Sequence, residues 1–153
     1  MNSYKDVCNF IIGYCKTIGR DITNLQLQKI LYYVQGYSLR NTGQRAFESD
    51  IEAWQFGPVV PDAYYDYCGN GRDPITVDNA DEAMKNVSMS DRSTIESIVD
   101  RCVGMSIGNL IEETHREEPW ANAFTGYKSP ISIDSIKDFF EKNDPLNIGQ
   151  GSL

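Results

Sequence analysis

Apolar positions in the first third of the chain recur at intervals of three and four, which is the spacing of helices with one buried face. Val7, Phe10, Ile11, Tyr14 and Ile18 share such a face on a helix expected from about Ser3 to Ile18, with Cys8 and Cys15 flanking the stripe as small core fillers. Gly19 follows where a helix C-terminus belongs. Thr23-Asn24-Leu25-Gln26 reads as a capping box, and Ile22 and Leu27 stand at the positions of a hydrophobic staple. The helix that starts there buries Leu27, Ile30, Leu31, Val34 and Tyr37. It carries polar-tipped Tyr32 and Tyr33 on that side and ends at Gly43.

After Gly43 the period changes. Ile51 to Phe56 alternates imperfectly, and a short extended segment or small β-hairpin is expected around residues 46–56, paired with residues near Phe47. Gly57-Pro58 is expected to turn the chain, and Pro61 to enter the first turn of a third helix, where a missing N–H costs little. That helix carries Ala63, Tyr64, Tyr65 and Tyr67 and stops at Gly69-Asn70-Gly71. Residues 72–87 carry weak signals and read as a surface loop. A fourth helix starts near Ser90 with Ile95, Ile98, Val99 and Cys102 as its stripe and ends at Gly104. Ser106 caps a fifth, which Pro119-Trp120 breaks. A sixth, from about Ile133 to Glu141, buries Ile133, Ile136, Phe139 and Phe140, and residues 143–153 read as a frayed tail. The expected architecture is mainly α: a compact bundle of about six helices in one domain spanning 1–153.

The segment Ile51 to Asp66, IEAWQFGPVVPDAYYD, stands apart from these helices. Pro58 and Pro61 fix two φ angles and remove two donors, and each restricts the residue before it. Trp54, Phe56, Tyr64 and Tyr65 crowd around this stiff backbone. Aromatics on rigid backbone lose little entropy on binding, which makes Trp54, Phe56, Gly57, Pro58, Val59, Pro61 and Tyr64 a candidate partner-binding set. The competing reading is that Trp54, Phe56 and Trp120 seal the core around the proline turn.

Composition narrows the chemistry. The net charge of −8 argues against nucleic acid as a direct partner, because phosphate binding relies on clustered cations; it suits solubility or a basic protein partner. Cys8, Cys15, Cys68 and Cys102 form no CxxC pair, and with one histidine a zinc site has almost no ligands to draw on. No secretory segment opens the chain and no apolar run nears the roughly 20 residues needed to cross a bilayer, so a cytoplasmic protein with free thiols is expected. No nucleophile elbow, phosphate-binding loop, dinucleotide fingerprint or HExxH motif is present. Glu112-Glu113 and Glu117-Glu118 flank His115, and carboxylates with an imidazole can do acid–base work; a small hydrolase or transferase using His115 with Glu113 or Glu117 is the enzymatic alternative. The blander reading makes the glutamates a solvated face and gives His115 a satisfied hydrogen bond near Trp120.

Taken together, TNLQLQKILYYVQGYSL, then IEAWQFGPVVPDAYYDY, then LIEETHREEPW with a closing ISIDSIKDFF, resemble the Panacea domain of SocA-like antitoxins and phage-associated GepA-like proteins, over roughly Ile22 to Phe140. In that resemblance Leu27, Lys29, Leu31, Tyr32, Gln35, Gly36, His115, Pro119 and Trp120 are structural motif positions. It implies a bacterial or phage protein of mostly helical fold, without enzymatic activity, catalytic residues, metal or cofactor. It would neutralise a cognate toxin by direct contact in the bacterial cytoplasm, or in the host cytoplasm if phage-encoded. It also implies two alternatives: a proteolytic adaptor delivering a toxin to a Clp-type ATP-dependent protease, and a stand-alone phage protein that inhibits a host factor. No nucleic-acid or membrane contact follows from it.

Overall fold

The longest helix, α2 (Asn24–Thr42), is the axis of the molecule, and every residue from Leu27 to Tyr37 is buried. In the computed structural model, which describes residues 1–149, the capping box forms as read. Thr23 Oγ1 accepts the Gln26 N–H at 3.3 Å, and Gln26 Oε1 accepts the Thr23 N–H at 2.9 Å. Ile22 and Leu27, the staple pair, are both buried. Thr23→Ala should lower the unfolding free energy by about 1 kcal/mol in a urea melt, since a backbone N–H at the helix start then loses its acceptor.

Around this axis run α1 (Tyr4–Thr17), α3 (Pro61–Tyr67), α4 (Ala80–Met84), α5 (Met89–Val103), α6 (Ile107–Arg116), α7 (Glu118–Ala123) and α8 (Ile133–Lys142). The fold is mainly α, with eight α-helices among the described residues where about six were expected. The two extra ones were hidden for different reasons. The five-residue α4 is too short to show a period. Asn79 caps it, accepting the Glu82 N–H at 3.1 Å, and Arg92 holds it by donating to the Met84 carbonyl at 2.9 Å. It lies so close on α1 that a Cβ at Gly13 would stand 2.8 Å from Met84 Cγ. Residues 72–87 are therefore not simply a surface loop: Ile75 and Val87 are buried, and the Ile75 N–H donates to the Ile22 carbonyl at 2.7 Å. The other, α7, is where Pro119-Trp120 was expected only to break a helix. Pro119 instead sits in a new first turn, where its missing N–H costs nothing.

A three-stranded antiparallel sheet, ordered β2-β1-β3, covers one flank. β1 (Ile51–Trp54) pairs with β2 (Gly57–Val59) through Trp54↔Gly57, leaving Gln55-Phe56 as the turn, and with β3 (Ser129–Ile131) through Ile51↔Ile131. This corrects two expectations. Gly57-Pro58 is strand rather than turn, and Pro58 is tolerated because β2 is an edge. Phe47 is not a strand partner either. It is buried, and the Gln35 side chain caps its backbone, donating to the Phe47 carbonyl at 2.8 Å and accepting the Ala46 N–H at 2.7 Å.

Residues 143–149 are held where fraying was expected. Asp144 accepts the Tyr37 hydroxyl and the N–H groups of Ile148 and Gly149, at 3.0 and 2.8 Å for the latter two. Leu146 is buried, and Arg40 donates to the carbonyls of Phe140 in the last turn of α8 and of Asn143 just after it. The last four residues of the expected tail, 150–153, lie outside the described residues.

Candidate functional site

The β1–β2 hairpin is pinned by three side chains from two helices. Lys29 Nζ on α2 donates to the Pro58 carbonyl at 3.1 Å, Gln28 Oε1 accepts the Val60 N–H at 2.9 Å, and Trp120 Nε1 on α7 donates to the Trp54 carbonyl at 2.8 Å. Glycine is required at position 57 twice over. Its φ of +113° is one that L side chains rarely adopt, and a Cβ would stand 2.7 Å from Lys29 Cε and 2.8 Å from Thr114 Oγ1. A hairpin held this tightly carries Phe56 at its turn with 55% of its surface exposed.

Beside the turn opens a groove of about 620 Å³. Trp54, Phe56, Val59 and Tyr64 of the expected partner set line it, and Gly57, Pro58 and Pro61 do not. Gly57 and Pro58 are buried supports, and Pro61 starts α3. Trp54 packs edge-on against Tyr64 at 4.9 Å, and the Lys128 ammonium lies 4.0 Å from the Trp54 ring centroid. The sealing role expected of Trp54, Phe56 and Trp120 is divided: Trp54 and Trp120 are half-buried, while Phe56 faces outward. Arg72, Phe124, Tyr127 and Lys128 complete the groove and were missed by the sequence reading. They come from segments 52 or more positions apart, and no local period marks them; the aromatic-basic run Phe124 to Lys128 was the only hint.

The remaining motif positions form the frame behind the hairpin. Leu27 and Leu31 are core; Lys29 and Gln35 hold backbone carbonyls. Gly36 lies against the Phe140 ring with no room for a side chain. Tyr32 and Tyr33 donate to the two carboxylate oxygens of Glu117 at 2.8 and 2.7 Å. Glu117 is thus not on a solvated face: its extended backbone (φ −86°, ψ 137°) between α6 and α7 turns the side chain inward. Glu112 and Glu118 are exposed as expected. Burial first, then the hydrogen bond that protonated Glu117 donates to Glu113, pushes the Glu117 carboxyl up to about 8, against the pull of the two tyrosines. Burial pulls the Lys29 ammonium down to about 7.

His115 stacks on Trp120 at 3.9 Å, and Trp120 stacks on Phe124 at 4.8 Å, so an aromatic ladder runs toward the groove. The imidazole makes the expected hydrogen bond on one side only, to the Gln55 backbone; Nε2 is buried without a partner. Burial first, then the nearby Lys29 charge, favours the neutral ring. The carboxylates that acid–base work would need are engaged elsewhere, Glu117 by the tyrosines and Glu113 by Arg116 at 2.9 Å. No group of three or more metal-ligating side chains forms among the described residues, and no helix there is long and apolar enough to cross a membrane.

Comparison with known proteins places this frame in a family. Residues 27–121, more than half of the chain, match the model of the "Antitoxin SocA-like, Panacea domain" family. Antitoxin SocA of Caulobacter vibrioides (strain NA1000 / CB15N) is 37% identical over 65 residues, which are 42% of this chain and 35% of that protein. The chain therefore aligns with only about a third of that relative. No solved structure matches. The matched span runs from the core face of α2, through the pinned hairpin, to the His115–Trp120 stack, and the chain belongs to the SocA-like antitoxin family, Panacea domain.

Proposed function

We infer that this chain is a non-enzymatic antitoxin that neutralises a partner toxin by direct contact in the cytoplasm. The observation that carries the reading is the exposed Phe56 on a hairpin fixed by side chains of two helices, α2 and α7. An apolar ring already held in place gives its burial free energy to a complex with little ordering cost. Family membership supplies the class of partner, a protein toxin.

The test is co-expression with the product of the neighbouring gene. Growth is restored and the two proteins co-purify; toxicity that persists, with no complex, removes the reading. Toxin half-life followed in the same cells stays unchanged, whereas a shortened half-life replaces occlusion with delivery to a protease. Phe56→Ala should leave the melting temperature of the free protein within about 2 °C, because the ring is half outside the fold. The same change should weaken the complex by about 2 kcal/mol or more, read by calorimetry, as expected of a central aromatic anchor.

A further inference from the structure

The groove beside Phe56 has a polarity opposite to that of the whole molecule. The chain carries a net charge of −8, yet among the described residues the only charged side chains lining this groove are Arg72 and Lys128. Among the described residues neither forms an ion pair with a carboxylate. Lys128 lies over the Trp54 ring and donates to the Tyr65 hydroxyl at 3.5 Å, and both partners are neutral, so its charge is not offset by them. The nearest acid on the hairpin, Glu52, is occupied, accepting the Trp54 indole N–H at 2.8 Å.

The polar floor is closed to ligands. Asn24 Nδ2 donates to the Tyr64 carbonyl at 3.1 Å, Asn24 Oδ1 accepts Gln28 Nε2 at 2.8 Å, and Gln28 Oε1 is taken by Val60. What remains open is a largely aromatic and apolar wall, the exposed Gln55 and two cations. A volume of about 620 Å³ takes a few side chains rather than a folded surface.

We propose that this groove binds a short acidic–apolar peptide segment of the partner protein, its carboxylate met by Arg72 and Lys128 and its apolar neighbour packed on Trp54 and Phe56. The proposal rests on the antitoxin reading for the existence of a partner and adds the chemistry of the segment recognised. A peptide fits better than a nucleic acid, because each further phosphate would meet the acidic field of the rest of the chain, while a single carboxylate is neutralised locally.

The experiment is selection of a displayed random peptide library on the full chain, followed by fluorescence polarisation of the enriched peptides on the wild type and on Arg72→Glu/Lys128→Glu. Both substituted residues are exposed, so the variant keeps the wild-type melting temperature. Enriched peptides carry Asp or Glu within two positions of Phe, Trp or Leu, and bind the variant at least tenfold more weakly. Failure to enrich any peptide, enrichment of neutral or basic ones, equal binding to the variant, or tighter binding of a ten-nucleotide oligouridine overturns the proposal. The two readings fail separately. If the charge-reversed variant still restores growth beside the toxin gene, the groove proposal falls and the antitoxin reading stands. If acidic peptides bind but no neighbouring toxin is neutralised, only the antitoxin reading falls.

Discussion

Phe140→Ala is expected to cost about 3–5 kcal/mol of unfolding free energy, the largest effect of any single truncation in this chain. Phe140 is fully buried and is met edge-on by three rings of α2, Tyr32, Tyr33 and Tyr37, at 5.6, 6.1 and 5.2 Å. Its own neighbour Phe139 adds a fourth contact at 5.2 Å. The ring can come this close to α2 only because position 36 is glycine: a Cβ there would overlap the Phe140 ring. Gly36→Ala should therefore also destabilise, by about 1–3 kcal/mol, through overpacking rather than through a cavity. The two defects are complementary. In Gly36→Ala/Phe140→Ala the new methyl enters the space the ring vacates, so the double variant should lose less than the two single losses added together. Guanidinium melts of the four proteins measure this directly, and strict additivity would show that the glycine is not there for the ring.

The second large effect is on pH dependence. Between the ordinary carboxyl value of 4.5 and about 8, the folded chain holds the Glu117 proton and the unfolded chain does not. Stability due to this group is full below 4.5 and falls as pH rises through that window. Lys29 acts in the opposite sense and higher up. Between about 7 and the ordinary 10.5 the unfolded chain holds the lysine proton and the folded chain does not, so stability rises with pH. Each limb is on the order of 2–4 kcal/mol, less than the full shifts would give because buried charges recruit water and relax their surroundings. His115, lowered by burial, adds a rise with pH below its ordinary 6.5 that opposes part of the Glu117 limb.

These two groups together place a minimum of stability near pH 7–8. Urea melts at fixed intervals from pH 5 to 8.5 test it, below the ordinary thiol value of 9.0 at which the unfolded chain ionises Cys8, Cys15 and Cys102 while burial holds the folded thiols protonated. Glu117→Gln should flatten the falling limb and leave the rise. Lys29→Met should flatten the rise and raise stability at neutral pH, since a buried ammonium without a carboxylate partner gives way to an apolar chain of similar length. A stability maximum at neutral pH in the wild type, with unchanged limbs in both variants, would mean that neither group is buried in the protonation state described.

The same two residues mark where sequence reading stops. Lys29 lies outside the apolar stripe read for α2 and is nonetheless fully buried, and Glu117 stands in a run of acids that looks like any solvated helix end. A period of three and four reports which face a residue occupies within its own helix. It does not report that the chain kinks at Glu117 and turns that carboxylate toward two tyrosines 84 and 85 positions away. The short α4 and the three-residue β3 escaped for a related reason. Their signal is a contact with Gly13 or with Ile51, and no periodicity fits into so few residues.

The sequence by itself determined the helical class, the capped start of α2, the buried stripes of α1, α2 and α5, and the unusual standing of the segment from Ile51 to Asp66. All of these are local: caps, periods and proline geometry act within a few residues. Tertiary structure decided which residue of that segment turns, that Phe56 faces outward while Trp54 and Trp120 stay half-buried, and that Arg72 and Lys128 join them across one groove. Those outcomes depend on Lys29, Gln28 and Trp120 reaching the hairpin from remote positions, and contacts of that range leave no period along the chain.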